Sequence, residues 1–265
     1  MHIVVCTKQT PDSAAKLAVD DAGHVSWGDS PIVINPWDEY AVEEALLLKD
    51  RIDGDVQVVV ISMGPEEALE ALKHAIAMGC DRAIRIWDEA FAGSDTLATS
   101  YVLARAIEKI GDVGMVLFGK SAIDSQTGQV AVAVARRLGF SPLTNVIKIA
   151  EIDGASMTAE RLLEEGRQVV QAPLPAVVGT TKGINEPRYP SFMGIRKATR
   201  AEYPLWTAGD IGAAADKVGA AGSGVRWERI FAPPAREGSA EIVAADTVEE
   251  SARILVDKLL AEKVI

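Results

Sequence analysis

Short apolar runs of strand length alternate with helical repeats through the first half of the chain, and this alternation constrains the fold most. The strand-like runs occupy residues 3–6, 56–61, 83–86 and 114–118. Apolar residues recur at helical spacing over about 38–50, 66–79, 95–109 and 130–138. Since a strand–helix–strand unit crosses over in a right-handed sense, the pattern predicts a doubly wound, mostly parallel α/β sheet with helices on both faces.

The second half of the chain has a different pattern. Extended segments at 146–150, 168–171 and 174–179 predict antiparallel additions to the sheet. From residue 201 onward Pro, Gly and Ala are frequent, which predicts an extended arm laid over a second chain and ending in a helix near 247–262. We therefore expect an α/β domain over 1–200 and a C-terminal arm over 201–265. A terminal helix that folds back on its own sheet is the alternative.

Composition excludes several classes of function. The 265 residues carry 27 basic and 38 acidic side chains, a formal net charge of −11, which argues against a nucleic-acid surface. No apolar run approaches the roughly 20 residues that span a bilayer, and residues 3–6 enter a strand without a leader pattern. The two cysteines, Cys6 and Cys80, are typical of a reducing cytoplasm and too few for a metal site. We predict a cytoplasmic protein without a metal centre.

A polar loop at residues 119–129 is the first candidate for ligand binding. It follows a buried strand and precedes a helix that starts near Val130, so backbone N–H groups and the positive end of the helix dipole point at one spot. Such a junction suits a phosphate, although no glycine-rich nucleotide fingerprint is present and an ordinary capped helix would look alike. Polar loops also follow the other strands, at 6–8, 62–65 and 93–96. Ligands of parallel α/β sheets bind beyond this edge.

Several segments resemble one known family. They are residues 174–189 (LPAVVGTTKGINEPRY), 35–41 (NPWDEYA), 43–46 (EEAL), 119–124 (GKSAID) and 127–129 (TGQ). In this order and spacing they resemble the beta subunit of electron-transfer flavoproteins, and the similarity runs from residue 3 to about 212. The resemblance implies a heterodimer with an FAD-carrying alpha subunit, embraced by the C-terminal arm.

The resemblance leaves two kinds of ligand open. Simple members of the family hold AMP as a structural ligand. Electron-bifurcating members hold a second FAD, which takes hydride from NADH and passes electrons to ferredoxin and, through the alpha-subunit FAD, to an acyl-CoA dehydrogenase-type flavoenzyme. Residues 93–100 (GSDTLATS) and 201–210 (AEYPLWTAGD) are similar to the bifurcating kind, whereas 124–129 (DSQTGQ) departs from its usual DGDTAQ. We favour FAD, with AMP as the alternative.

The resemblance also assigns residues, position by position. It implies cofactor contacts by Cys6, Asn35, Asp38, Met63, Gly64, Asp95, Thr96, Thr99, Asp124, Ser125, Gln126, Thr127, Gly128, Gln129 and Val130. Each has a plainer alternative: Cys6 as a small buried hydrophobe, Asp38 and Asp95 as helix caps. The resemblance also implies that the partner flavoenzyme is contacted by Tyr189, Phe192, Met193, Arg196 and Lys197. Phe192 would be the apolar anchor of this contact, and the alternative is that its side chain packs inside the protein.

The sequence shows no paired acid and base, nucleophile or metal-ligand cluster. That pattern fits an electron carrier, in which the cofactor performs the chemistry and the protein supplies position and electrostatics. A stand-alone ATP-hydrolysing or nucleotidyl-transferring domain, with Lys120 and Asp124 active, is a further hypothesis, weakened by the missing phosphate-binding glycine motif.

Overall fold

The structure is a computed structural model, and it describes residues 1–234 and 240–265. The chain divides into two compact units, Met1–Ile230 and Phe231–Ile265.

The strands, in chain order, are β1 (His2–Thr7), β2 (Gln9–Pro11), β3 (Ala18–Val19), β4 (Val25–Ser26), β5 (Ile32–Ile34), β6 (Gln57–Met63), β7 (Arg82–Ile86), β8 (Val113–Gly119), β9 (Ser141–Ile152), β10 (Ser156–Leu163), β11 (Gly166–Pro173), β12 (Ala176–Thr180) and β13 (Leu205–Trp206). The helices are α1 (Pro36–Arg51), α2 (Ala68–Met78), α3 (Thr96–Ile110), α4 (Val130–Leu138), α5 (Phe192–Arg200), α6 (Gly219–Gly222) and α7 (Val248–Ala261).

Within the described residues, one nine-stranded sheet organises the first unit, in the order β11-β10-β9-β12-β8-β1-β6-β7-β13. Strand β1 lies between β6 and β8 and pairs with both in parallel. The central strands read as continuous apolar runs because both faces of the sheet are covered. The predicted mostly parallel α/β sheet with antiparallel additions is confirmed.

Helices cover both faces of the sheet, as the alternation predicts. Ile3 and Val5 of β1 pack in one core cluster with residues of α1 and α2. Val4 and Cys6 point to the opposite face, into a second cluster with residues of α3 and α4. This division follows from the two-residue period of a strand, which sends successive side chains to opposite faces of the sheet.

One extended segment was assigned to the wrong part of the sheet. We expected 174–179 to be an antiparallel addition, but β12 pairs in parallel with both β8 and β9. Its five residues are all buried because neighbouring strands flank it on both sides. The antiparallel part consists of β9, β10 and β11, and β10 was not predicted.

The region after residue 201 belongs to both compact units, because the division falls after Ile230. The expected boundary at residue 200 between the α/β domain and the arm stays a prediction. Strand β13 extends the sheet beside β7, and Ile211 and Val218 are buried in the second core cluster. In the second unit, the predicted terminal helix is present as α7, capped by Thr247. No helix within 1–234 or 240–265 combines the length and the apolar character that crossing a membrane requires.

Candidate nucleotide site

The carboxyl ends of the parallel strands bring four polar loops to one edge of the sheet. Thr7 of β1 lies beside Ser62 of β6, and Cys6 lies beside Phe118 of β8. Strand β7, which precedes the loop at 93–96, is parallel to β6. The loops at 6–8, 62–65, 93–96 and 119–129 therefore leave the sheet at the same edge, which we call the rim.

Asp38 joins two of the rim loops. It lies in the first turn of α1, and its buried carboxylate accepts hydrogen bonds from the backbone N–H of Lys8 at 2.8 Å and of Gly119 at 3.2 Å. Burial raises the pKa of Asp38 to about 7, although these hydrogen bonds partly offset the rise. Asp38 does not cap α1, because its two carboxylate oxygens accept from the two loops instead.

Asn35 joins α1 to the loop after β8. Its side-chain Nδ2 donates to the carbonyl of Ser121 at 2.9 Å, and its Oδ1 accepts from the N–H of Ile123 at 3.1 Å. Asn35 is buried, so these bonds are shielded from water. Asn35 and Asp38 thus fix the path of the rim loops, and contact of either side chain with a ligand stays a prediction.

Gly119 allows β8 to approach the start of α1. A Cβ at this position would lie 2.5 Å from Asp38 Oδ1 and 2.5 Å from the backbone carbonyl carbon of Trp37. Gly64 is less confined, since its Cβ would lie 2.6 Å from Nε2 of Gln9, the end of a flexible side chain that can move. Gly119 therefore keeps the loop after β8 close to α1.

The loop from Asp124 to Gln129 is exposed and ends at the N-terminus of α4. Gln126 and Gly128 adopt positive φ angles of 51° and 61°, so the chain turns sharply here. In the described part of the chain, the side chains of Ser125, Gln126, Thr127 and Gln129 make no hydrogen bond, and no side chain caps α4. The first N–H groups of α4 therefore remain available to an anion, as the sequence predicts.

Two charged residues of this loop are engaged with other parts of the rim. Lys8 Nζ lies 2.6 Å from Asp124 Oδ2, an ion pair that ties the β1 loop to the β8 loop. The Nζ of Lys120 lies 5.9 Å from the ring centroid of Trp37. Lys120 and Asp124 are thus held by separate neighbours, and nothing in this arrangement favours the ATP-hydrolysing hypothesis.

Asp95 caps α3, which is the plainer of its two interpretations. One carboxylate oxygen accepts from the N–H groups of Leu97 and Ala98, and the other accepts from Gly224 and Val225 at 2.7 and 3.0 Å. These bonds lower the pKa of Asp95, against the opposing effect of its partial burial. The N-terminus of α3 is therefore occupied by a carboxylate, whereas that of α4 is open. Thr96 and Thr99 lie half-buried in the first turn of α3.

The remaining predicted rim residues differ in exposure. Cys6 is buried in the second core cluster, and burial raises the pKa of its thiol well above the usual value. It therefore packs as a small hydrophobe, as its alternative interpretation has it. Met63 is half-buried at the end of β6, and Val130 is half-buried at the start of α4. These two side chains border the rim.

The residues predicted to contact a partner enzyme lie on a separate surface. Tyr189, Phe192 and Met193 are 95%, 81% and 67% exposed. Phe192 begins helix α5, which was not predicted and which Ser191 caps through the N–H of Gly194. These apolar side chains point to solvent, so Phe192 does not pack internally. Arg196 is exposed on the same helix, whereas Lys197 donates to the carbonyl of Cys80 at 3.0 Å.

Comparison with known proteins agrees with this architecture. The sequence matches the family described as "Electron transfer flavoprotein domain" over residues 29–211. It is 38% identical to the "Electron transfer flavoprotein subunit beta" of Megasphaera elsdenii over the full length of both chains. The chain belongs to the electron transfer flavoprotein beta-subunit family.

Two other relatives of this family also cover nearly the whole chain. "Protein FixA" of Azorhizobium caulinodans is 42% identical over 92% of this chain and 88% of its own length. The "Caffeyl-CoA reductase-Etf complex subunit CarD" of Acetobacterium woodii is 37% identical over all of both chains. The similarity of this electron transfer flavoprotein subunit to its relatives thus includes the C-terminal unit.

Some structural residues of the site were not predicted as such. Buried Glu43 and Glu44 of α1 bind the segment that precedes the exposed start of α5: Glu43 pairs with Arg188, and Glu44 accepts from Asn185 at 3.0 Å. Burial raises the pKa of Glu44. The sequence could have indicated these contacts, because two acidic residues stand between apolar positions of a helix and charged side chains are rarely buried without a partner.

A cavity of about 560 Å³ lies away from the rim, between the start of α1, helix α2 and helix α5. Its lining includes Ile32, His74 and Ile195. It shares none of the cofactor residues that we predicted. The nucleotide site that we predict at the rim stays a prediction, and the open N-terminus of α4 offers the donors that a phosphate needs.

Proposed function

We propose that this electron transfer flavoprotein subunit binds the adenine nucleotide part of FAD at the rim and pairs with an FAD-carrying alpha subunit. In this proposal it accepts hydride from NADH. The electrons then pass to ferredoxin and, through the alpha-subunit FAD, to an acyl-CoA dehydrogenase-type flavoenzyme. AMP as a structural ligand of a simple electron carrier is the alternative.

The observation that carries the proposal is the open N-terminus of α4 behind an exposed loop of hydroxyl and amide side chains. Ser125, Thr127 and Gln129 can donate to phosphate oxygens, and the first amides of α4 add the favourable end of the helix dipole. Asp38 and Asn35 hold this loop from behind, so the donors are placed before the ligand arrives. When bound, a flavin supplies the two-electron chemistry, while these residues supply binding and orientation.

The exposed surface at the start of α5 supports docking of a partner enzyme. Tyr189, Phe192 and Met193 form an apolar patch, and Arg196 lies beside it on α5. An apolar centre with a charged rim is typical of interaction hot spots. The relative from Acetobacterium woodii is named as a subunit of a caffeyl-CoA reductase complex, which is consistent with a CoA-dependent flavoenzyme as partner.

The C-terminal unit supports pairing with the alpha subunit. Helix α7 carries exposed apolar side chains, among them Val248, Leu255 and Leu260. An amphipathic helix of this kind gains stability when a second chain covers its apolar residues. We propose the alpha subunit as that chain.

The test is to purify the chain together with its alpha subunit, denature the complex, and identify the released small molecules. Two FAD per heterodimer support the bifurcating proposal, while one FAD and one AMP support the alternative. NADH oxidation that depends on both ferredoxin and a CoA-dependent flavoenzyme then tests the electron route. A heterodimer that releases a single FAD and no AMP contradicts nucleotide binding at the rim.

Docking is tested separately with Phe192→Ala. We expect a raised KM for the partner flavoenzyme and an unchanged nucleotide content, because Phe192 lies at the exposed start of α5 and not at the rim. Val169→Ala, which truncates a similarly exposed apolar side chain on β11, is the matched control. Equal effects of the two substitutions would contradict the assignment of this surface.

A further inference from the structure

A second cleft, of about 430 Å³, lies on the outer side of α3, and its lining shares no residue with the rim. It is formed by Tyr101, Ala104, Arg105, Glu108, Arg137 and Lys217. Three structural elements supply its cations: α3, the end of α4, and the 3-10 turn at Ala215–Lys217. The cleft has no role in the function proposed above.

Arg105 is held in place by its neighbours. Its Nε donates to the carbonyl of Ile211 at 3.2 Å, and its Nη1 pairs with Glu108 on the next turn of α3. Gly212 leaves space for the guanidinium, since a Cβ there would lie 3.2 Å from Nη2 of Arg105. The contact with the backbone of Ile211 thus holds the guanidinium of Arg105 in position beside Gly212.

Arg137 reaches the same cleft from α4. Its Nε donates to the hydroxyl of Ser100 at 3.0 Å, and its Nη2 donates to the carbonyl of Leu97 at 3.0 Å. Its guanidinium carbon lies 5.5 Å from the ring centroid of Tyr101. A second cation is thus fixed against the same aromatic ring.

Lys217 completes the arrangement. Its Nζ lies 5.7 Å from the ring centroid of Tyr101, and the hydroxyl of Tyr101 accepts from the N–H of Ala214 at 3.0 Å. That hydrogen bond holds the turn that carries Lys217 next to α3. Tyr101 therefore contacts two cations and also positions the segment that brings one of them.

The charges of the cleft are not balanced. Among the residues that the structure describes, its lining carries three cations and one carboxylate, in a chain whose net charge is −11. Holding like charges together costs free energy, and a bound anion relieves that cost. The guanidinium N–H groups that these bonds leave free, together with the lysine ammonium, can donate to the oxygens of a phosphate group.

We propose that this cleft is an anion site for a phosphate group, either free or carried by a small molecule. Arg105 and Arg137 provide guanidinium groups held by hydrogen bonds, and exposed Lys217 provides the third cation. The volume of the cleft admits a phosphate together with part of the molecule that bears it.

The test is isothermal titration calorimetry on the full chain purified with its alpha subunit, with inorganic pyrophosphate as the probe. Lys217→Gln removes the exposed cation and spares the hydrogen bonds of both arginines. Arg136→Gln is the matched control, because it removes one positive charge from an exposed neighbour that does not line the cleft. We expect pyrophosphate binding to weaken about tenfold or more in K217Q and less than about twofold in R136Q.

A second titration, with ADP in place of pyrophosphate, distinguishes the source of the phosphate. Tighter binding of ADP that K217Q also weakens indicates a phosphate carried by a larger molecule, whereas preference for pyrophosphate indicates a free anion. Either result supports the site. Absence of binding by the wild type, binding unchanged by K217Q, or equal losses in K217Q and R136Q would overturn it, since the anion would then bind elsewhere or respond only to net charge.

Discussion

Arg188 and Glu43 form a two-pronged ion pair across 145 positions of the chain. The Nε of Arg188 lies 2.7 Å from Oε2 of Glu43, and its Nη2 lies 2.9 Å from Oε1. The backbone N–H of Arg188 donates to the same carboxylate at 3.1 Å. Glu43 is buried on α1, the helix whose first turn holds the rim loops. One rigid helix thus supports both the rim and the segment before Phe192.

Arg188→Gln should loosen this segment. Loss of the guanidinium leaves the buried carboxylate of Glu43 without its cation, so we expect the free energy of unfolding to fall by about 1–3 kcal/mol. This loss is smaller than for a fully buried ion pair, because water screens the partly exposed Arg188. The KM for the partner flavoenzyme should rise, while the nucleotide stays bound. Urea unfolding and steady-state electron transfer measure the two effects. The control is Arg200→Gln, which removes the same charge from the end of α5. If both variants behave alike, the ion pair does not position the exposed residues at the start of α5.

Gly119→Ala should disrupt the rim. The added methyl would lie 2.5 Å from Asp38 Oδ1 and from the backbone of Trp37, so β8 and α1 must separate. We expect a loss of about 2 kcal/mol or more in the free energy of unfolding, together with loss of the nucleotide. Gly179→Ala is the matched control: it lies in the adjacent strand, where a Cβ meets only ordinary contacts at 3.7 Å. A stable, nucleotide-loaded G119A protein would contradict this role of Gly119.

The order of strands and helices could be predicted because each buried run and each amphipathic repeat is a local signal. The position of β12 could not, since an apolar run of five residues looks alike at the centre of a sheet and at its edge. The rim was predicted from the loops that follow the strands, but the bonds of Asn35 and Asp38 were not, because their partners lie about 30 to 90 positions away. Still larger separations, of 145 and 141 positions, concealed the partners of Glu43 and Glu44.

Asp38 should make stability depend on pH in an unusual direction. Its folded-state pKa of about 7 lies above the usual value of 3.8, so the folded state binds the proton more tightly than the unfolded state. Its contribution to stability is therefore largest at low pH and falls as pH rises from about 4 to about 7, by about 4 kcal/mol at most. Asp38→Asn should remove this component.

The measurement is urea unfolding of the wild type and D38N across that pH range. The difference between the two proteins isolates Asp38 from carboxyls such as Asp95 and Asp153, whose lowered pKa values act in the opposite direction. We expect D38N to be less stable than the wild type at pH 4, because its amide replaces an acceptor that faces a backbone N–H. A stability difference that does not change with pH would show that Asp38 titrates normally.

Gln129→Asp should separate the stability of α4 from its affinity for phosphate. Gln129 occupies the N-cap position with helical backbone angles and without a capping hydrogen bond, so aspartate there acts through its charge near the first amides of the helix, for a gain of about 0.3–1 kcal/mol from the helix dipole. The same carboxylate repels a phosphate and competes for those amides, so the nucleotide content of the purified complex should fall sharply. Gln129→Asn is the control, because asparagine shortens the side chain in the same way without adding a charge and should retain more nucleotide. If Q129D keeps its nucleotide at the wild-type level, the phosphate does not bind at α4, and the site must lie at another part of the rim.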